Sequence, residues 1–186
     1  MSAVSDEALV ERIARGDQAA LQALYARHSV KIFRFVVRLL RDEGRAEDIV
    51  SEVFIDVWKS AARFEARSAV GTWLLTIARN KAISQMRRKR DQELDEDYAG
   101  GIADESDDPE VVLQKQGKSG QLRACIAQLS PEHREVIDLV YYHDKSVEEV
   151  AAIVGIPEGT VKTRMFHARK RLSELAAKTG MDRGWP

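Results

Sequence analysis

The sequence predicts an all-α protein made of two small helical domains joined by a flexible acidic linker. Three observations carry that expectation. Before residue 100 the only glycines are Gly16, Gly44 and Gly71, and the first proline is Pro109, so long stretches rich in Ala, Leu, Arg and Glu run almost without a helix breaker. Apolar residues recur at the helical period in both halves, and no run alternates at period 2 as a half-buried strand would. Between the halves, residues 91–114 hold acidic side chains from Asp91 to Glu110 and not one Lys or Arg. Such a segment repels itself and stays extended.

The elements follow in order. A first helix runs from Ser5, an N-cap residue, to Arg15, where Gly16 stops it. A second runs from Asp17 to Leu40 with an apolar stripe of Leu21, Leu24, Tyr25, Ile32, Phe35, Val36 and Leu39. A third starts just after Gly44 and carries Ile49, Val50, Val53, Phe54, Val57, Trp58 and Ala61. After a break at Phe64–Gly71, a fourth continues from Thr72 to about Arg90. Beyond the linker, residues 115–128 read as a helix, and Ser130-Pro131 opens another with a cap and a first-turn proline. Ser146-Val147-Glu148-Glu149 is a capping box whose helix ends at Gly155, and Pro157-Glu158-Gly159 introduces a last helix from Thr160 to Leu175.

Composition narrows the function classes. The 186 residues carry 29 Lys and Arg against 30 Asp and Glu, a net charge of -1, so any contact with nucleic acid depends on local segregation of charge. Cys125 is the single cysteine, which excludes an internal disulfide framework and a cysteine-rich zinc module. The four histidines lack metal-ligand spacing, and no glycine-rich phosphate loop or nucleophile–base pair stands out. No metal, cofactor or catalytic residue is expected, nor is a membrane span or signal peptide. The expectation is a soluble protein of a reducing cytoplasm.

Two constellations carry chemistry. Residues 146–172 form a capped short helix, a tight turn at Gly155-Ile156-Pro157 and a longer basic helix, the helix-turn-helix pattern. On the first helix Val150, Ala151 and Val154 face inward; on the second, Val161, Met165, Ala168 and Leu172 make one buried stripe. That leaves Lys162, Thr163, Phe166, His167 and Lys170 outward, with Arg164, Arg169 and Arg171 toward the flanks. Lys, Arg and Thr donors on such a helix suit phosphates and major-groove base edges. In the first half, Ala66–Arg90 contains no Asp or Glu, while Arg67, Arg79, Lys81, Arg87 and Arg88 are interleaved with Trp73, Asn80, Ser84 and Gln85. Cations with aromatic and amide groups suit a melted DNA strand, although a basic helix end also suits the macrodipole alone. On the preceding helix Asp48, Glu52 and Asp56 stand at i, i+4 and i+8, an acidic ridge that fits either a protein-docking face or a plain solvated surface.

These residues resemble the extracytoplasmic-function group of bacterial RNA polymerase sigma factors, over nearly the whole chain. AEDIVSEVFIDVWKSAARF resembles the core-polymerase-binding helix, GTWLLTIARNKAISQMRRKR the promoter-melting and −10-recognition helix, and the stretch from Leu129 to Leu172 the −35-binding domain. The resemblance implies a sigma-2-like bundle at 1–90, a linker at 91–114, a sigma-4-like domain at 115–178 and a tail at 179–186. It implies that Asp48, Glu52, Phe54, Asp56 and Trp58 dock on the clamp coiled coil of the polymerase's largest subunit, with the beta flap as a second contact. The loop Phe64–Gly71 would receive a flipped −10 base. Phe64, Arg67, Trp73, Arg79, Asn80, Lys81, Ser84, Arg87 and Arg88 would hold the −10 strand. Thr160, Lys162, Thr163, Arg164, Phe166, His167 and Lys170 would enter the −35 major groove. Ser51 departs from the Gln that many members carry there. The implied protein is a cytoplasmic monomer when free, with an anti-sigma factor as a further partner. A sigma mimic that sequesters such a factor, or a stand-alone helix-turn-helix regulator, are the rival expectations.

Overall fold

A computed structural model describes residues 4–96 and 118–178; the expected linker beyond Glu96 and the tail 179–186 lie outside them. Among the described residues there are eight α-helices, one 3-10 turn and no strand. The helices are α1 Asp6–Ala14, α2 Gln18–Leu40, α3 Glu43–Ser60, α4 Val70–Glu96, α5 Lys118–Ala127, α6 Pro131–Tyr141, α7 Val147–Val154 and α8 Glu158–Lys178; the 3-10 turn Ala61–Arg63 follows α3. The chain divides into two compact units, the first built on residues up to 95 and the second mainly on those after them, except that residues 151–155 at the end of α7 group with the first; by sequence, α7 lies within the second.

The first unit contains α1 to α4. Ser5 caps α1 by accepting the Ala8 amide at 3.2 Å, and α1 buries Leu9, Val10 and Ile13. Gly16 turns the chain at φ 86, a left-handed conformation that costs glycine no Cβ clash. Asp17 then caps α2 on the Ala20 amide at 3.1 Å and pairs with Arg12 at 2.7 Å. A second tie fastens α1 to α2. Arg27 donates to the Val4 carbonyl at 2.7 Å and to Asp6 at 2.8 Å, and His28 Nε2 lies 2.6 Å from the other Asp6 oxygen. Burial pushes the Asp6 carboxyl up, but the hydrogen bonds and charges of Arg27 and His28 outweigh it and hold the group below its ordinary value.

The stripe of α2 is narrower than expected: Leu24, Ile32, Phe35 and Val36 are buried, Leu21 and Leu39 half-buried, and Tyr25 exposed. At the next corner Arg41 takes the left-handed region (φ 55), and Asp42 caps α3 on the Arg45 amide at 3.0 Å. The cap therefore starts α3 before Gly44, which is absorbed into its first turn rather than preceding it. α3 buries Ala46, Ile49, Val50, Val53, Phe54 and Val57. Helix α4 starts at Val70 and runs on to Glu96 instead of stopping near Arg90. Residues 91–96 contain Gln, Glu and Leu, all good helix formers, and place acids one turn after the basic run at Arg87–Arg90. Their charge suggested a linker; their helix propensity continues the helix.

In the second unit Ser130 caps α6 with Pro131 in the first turn, and Arg134 donates to the carbonyls of Ala127 and Leu129 at 2.9 and 3.0 Å, closing the end of α5. Cys125, Leu129, Val136, Ile137 and Leu139 are buried. The predicted capping box is formed in both directions: the Glu149 amide donates to Ser146 Oγ at 3.2 Å, and the Ser146 amide donates to Glu149 Oε2 at 2.9 Å. Gly155 ends α7 at φ 73. On α7 the buried set is Val150, Ile153 and Val154, with Ala151 only half-buried, so Ile153 takes the inward place expected for Ala151. The expected stripe of α8 is buried throughout and gains Leu175.

Candidate nucleic-acid interface

Burying Val161, Met165, Ala168 and Leu172 turns the rest of α8 outward. Lys162, Thr163, His167 and Lys170 are exposed, Thr160 and Arg164 half-buried, and Phe166 is 64% exposed, the most exposed large apolar side chain among the described residues. The His167 ring meets Phe166 edge-on at 5.5 Å and lies 6.3 Å from His133 of α6. Thr163 donates its hydroxyl hydrogen to the Gly159 carbonyl at 3.0 Å, so its methyl and lone pairs are what it offers outward. Lys162 reaches Glu158 only at 4.0 Å, with both side chains more than half exposed, a pairing of little consequence. This face is cationic, holds one large apolar group, and belongs to a helix locked to its neighbours from behind.

In the first unit the loop before α4 is shaped by Ala66, which sits at φ 52. The Phe64 and Trp73 rings are 4.8 Å apart and tilted by 39°, both half-buried, so an aromatic wall stands at the start of α4. Arg67 is 84% exposed and pairs with Glu65. Along α4, Trp73, Asn80, Ser84 and Arg87 fall on one stripe, and Asn80, Ser84, Arg87 and Arg88 are exposed. Arg79 is half-buried.

The acidic ridge and the basic helix are not separate surfaces. Lys81 Nζ of α4 lies 2.8 Å from Asp56 Oδ2 and 3.2 Å from Glu52 Oε2 of α3. Burial pulls the ammonium down, but hydrogen bonds and Coulomb attraction from Asp56 and Glu52 outweigh it and raise it above the ordinary lysine value. Around this triad runs a groove of about 470 Å³ whose wall also includes Asn80, Ser84, Gln85 and Arg88. Asp48, one turn before Glu52, is exposed. Phe54 is 5% exposed and packs on Tyr25 with ring centroids 4.8 Å apart, and what remains of its edge lines a hollow beside Trp58. Trp58 is half-exposed, and Ile55 beside it, outside the expected set, is 50% exposed. Ile55 lies one position off the buried stripe of α3, and that offset is the signal that could have singled it out. Two open hollows of about 420 and 450 Å³ between α2 and α3 expose further apolar surface, one against Tyr25 and Val30, the other against Phe54, Ile55 and Trp58.

Among the described residues no group of three or more His, Cys, Asp or Glu could hold a metal ion, and no helix is long and apolar enough to cross a membrane.

Family models for sigma-70 region 2 and sigma-70 region 4 match residues 24–92 and 119–172. The chain is 33% identical to the ECF RNA polymerase sigma factor SigL of Mycobacterium tuberculosis, over 95% of this chain and 99% of that protein. It is 30% identical to the RNA polymerase sigma-H factor of Pseudomonas aeruginosa, over 91% and 92% of the two chains. Among solved structures it is similar to the sigma factor RpoE of Bartonella quintana in complex with the anti-sigma factor NepR (TM-score 0.66, 30% identity, 84% of this chain and 96% of that one). It is also similar to CnrH in complex with the cytosolic domain of CnrY (TM-score 0.67, 25% identity, 94% and 99%).

Proposed function

Because this chain belongs to the sigma-70 family, among its extracytoplasmic-function members, we propose that its two helical units divide promoter recognition between them. It is an alternative sigma factor, a transcription initiation factor that directs core RNA polymerase to specific promoters. The first unit, residues 1–90 together with the continuation of α4, docks on the clamp coiled coil of the largest polymerase subunit. Asp48, Glu52, Asp56 and Trp58 supply that contact, with Phe54 supporting it from beneath. The same unit captures the −10 strand. Phe64 and Trp73 stack or flank an unstacked base, and Arg67, Arg79, Asn80, Lys81, Ser84, Arg87 and Arg88 follow the backbone. Residues 115–178 form the second unit, which contacts the beta flap and places Thr160, Lys162, Thr163, Arg164, Phe166, His167 and Lys170 in the −35 major groove. The protein's part is binding, positioning and base capture, carried out in the cytoplasm by a chain that is monomeric when free.

The observation that carries this reading is α8. Its buried stripe is complete, and its opposite face presents exposed Lys162, Thr163, Phe166, His167 and Lys170. An anti-sigma factor is a further partner; the sigma factor RpoE above was captured with one, NepR, and CnrH with the cytosolic domain of CnrY. Run-off transcription with bacterial core polymerase, this protein and pooled genomic fragments tests the reading. New start sites preceded by a shared pair of spaced elements are expected. Tight −35 duplex binding with no core binding and no transcripts would replace the reading with a stand-alone regulator.

A further inference from the structure

The groove between α3 and α4 joins a residue assigned to DNA with residues assigned to the polymerase. Lys81 has three N–H donors, and two are spent on Asp56 and Glu52. One ammonium against two carboxylates leaves the triad net negative, so in this state Lys81 offers little attraction to a phosphate. Its side chain is 23% exposed, whereas those of Asp56 and Glu52 are 43% and 49% exposed. The acids are therefore accessible to an incoming partner while the lysine is held beneath them. The groove also contains Gln85 Oε1, a buried acceptor with no hydrogen-bond partner, so the polar groups lining it are not all satisfied as they stand.

We propose that Lys81 is a latch between the two binding surfaces: Glu52 and Asp56 hold it in the free protein, and a cationic polymerase group that takes up these carboxylates releases it to a phosphate of the melted strand. This rests on the assignment of α3 to the polymerase and α4 to the −10 strand. Polymerase binding and strand binding then share a coupling free energy, and each strengthens the other by the same factor. The device is local to the first unit and does not depend on how the two units are spaced.

The test uses the full chain, with anisotropy of a short fluorescein-labelled single-stranded DNA of random sequence across a salt titration. In the free protein, Glu52→Gln with Asp56→Asn removes the latch. Strand affinity should rise about fivefold or more, and the plot of log K against log salt should steepen by about 0.7, the value of one added phosphate contact on a single strand. Adding Lys81→Gln to that background should abolish both changes, and Lys81→Arg should preserve them. Asp48→Asn removes a charge from the same helix without touching the triad, and its smaller gain should be indifferent to Lys81→Gln. A gain that survives Lys81→Gln would mean general relief of negative charge and would overturn the latch. A second arm measures the core-bound protein, where Lys81→Gln alone should weaken strand binding. If it does so while the free-protein gain is missing, the latch fails and the assignment of Lys81 to the strand stands. If Lys81→Gln has no effect on the core-bound protein, the assignment of Lys81 fails and the latch with it. Thermal melts of every variant confirm that folded proteins are being compared.

Discussion

Arg169 of α8 donates its Nε–H to the Tyr141 hydroxyl at 3.0 Å, and its guanidinium carbon lies 5.8 Å from the centroid of the same ring. One tyrosine at the end of α6 thus holds an arginine from the flank of the recognition helix through its hydroxyl, with the guanidinium beyond the ring's hydroxyl rim. The pair is solvent-facing, with Tyr141 53% exposed, so each part is worth little for stability and more for orientation. Tyr141→Phe should keep the ring contact and lower stability by less than about 1 kcal/mol. Tyr141→Ala should lower it further, and −35 duplex affinity should fall in the same order. Urea melts and anisotropy on the same three proteins check both.

The capping box of α7 gives a cleaner stability effect. Ser146→Ala should cost about 1 kcal/mol, because it orphans the Glu149 amide at the helix start. Glu149→Ala removes the return bond to the Ser146 amide and the pairing with Lys145 at 3.0 Å. The two substitutions share one motif, so the double variant should lose less than the sum of the singles. Denaturant midpoints with unchanged slopes would establish this.

Asp6 sets a pH dependence for the attachment of α1. Its carboxyl is held below the ordinary value of 3.8 in the folded protein, so the unfolded chain binds the proton more readily. The stabilisation is therefore fully present above that value and is lost as pH falls through the lower, folded one. The stability difference between the parent and Asp6→Asn should be constant near neutrality and shrink as pH falls below about 4. A difference that grows on acidification would contradict the ties to Arg27 and His28.

Trp73 and Phe64 predict a separation of fold from melting. Both rings are half-buried, so Trp73→Ala should leave a folded unit that still binds polymerase. Loss of one stacking surface should weaken strand capture by roughly fivefold to a hundredfold, the range for a single base–aromatic stack of about 1–3 kcal/mol. Permanganate reactivity of unpaired thymines in the open complex reads this directly.

On α8, charge and apolar contact should come apart. Lys162→Ala should lower −35 duplex affinity and flatten the salt dependence by about 0.9, the value of one phosphate on duplex DNA. Phe166→Ala should lower affinity with an unchanged slope, because a phenyl ring releases no counterions. Duplex titrations at several salt concentrations distinguish the two.

The sequence made the second unit more legible than the first. In α7 and α8 the cap, the turn glycine and the buried stripe are all local signals, and each is found where its residues stand, apart from the exchange of Ala151 for Ile153. The expectations for α3 and α4 missed relationships that only packing creates. Periodicity along α3 could not reveal that Lys81, a loop and about three helix turns away, faces Glu52 and Asp56. It does set Ile55, one position off the stripe, apart from Phe54, but it could not show that the Phe54 ring packs against Tyr25. The sequence places the start of α3 just after Gly44, whereas Asp42, two residues before that glycine, supplies the cap.

The unbroken run of α4 to Glu96 gives the chain an adjustable leash. Its final turns are acidic, with no basic residue in the last turn, where the partial negative charge of the helix end favours cations. That end of the helix therefore lacks a favourable charge against its dipole. Each residue that leaves the helix exchanges about 1.5 Å of rise for about 3.4 Å of extended chain. Melting residues 91–96 would pay out roughly 11 Å, close to the length of three base pairs. Under the proposed division of labour, unwinding the last turn or so of α4 would lengthen the tether beyond the first unit without disturbing that unit's packed core.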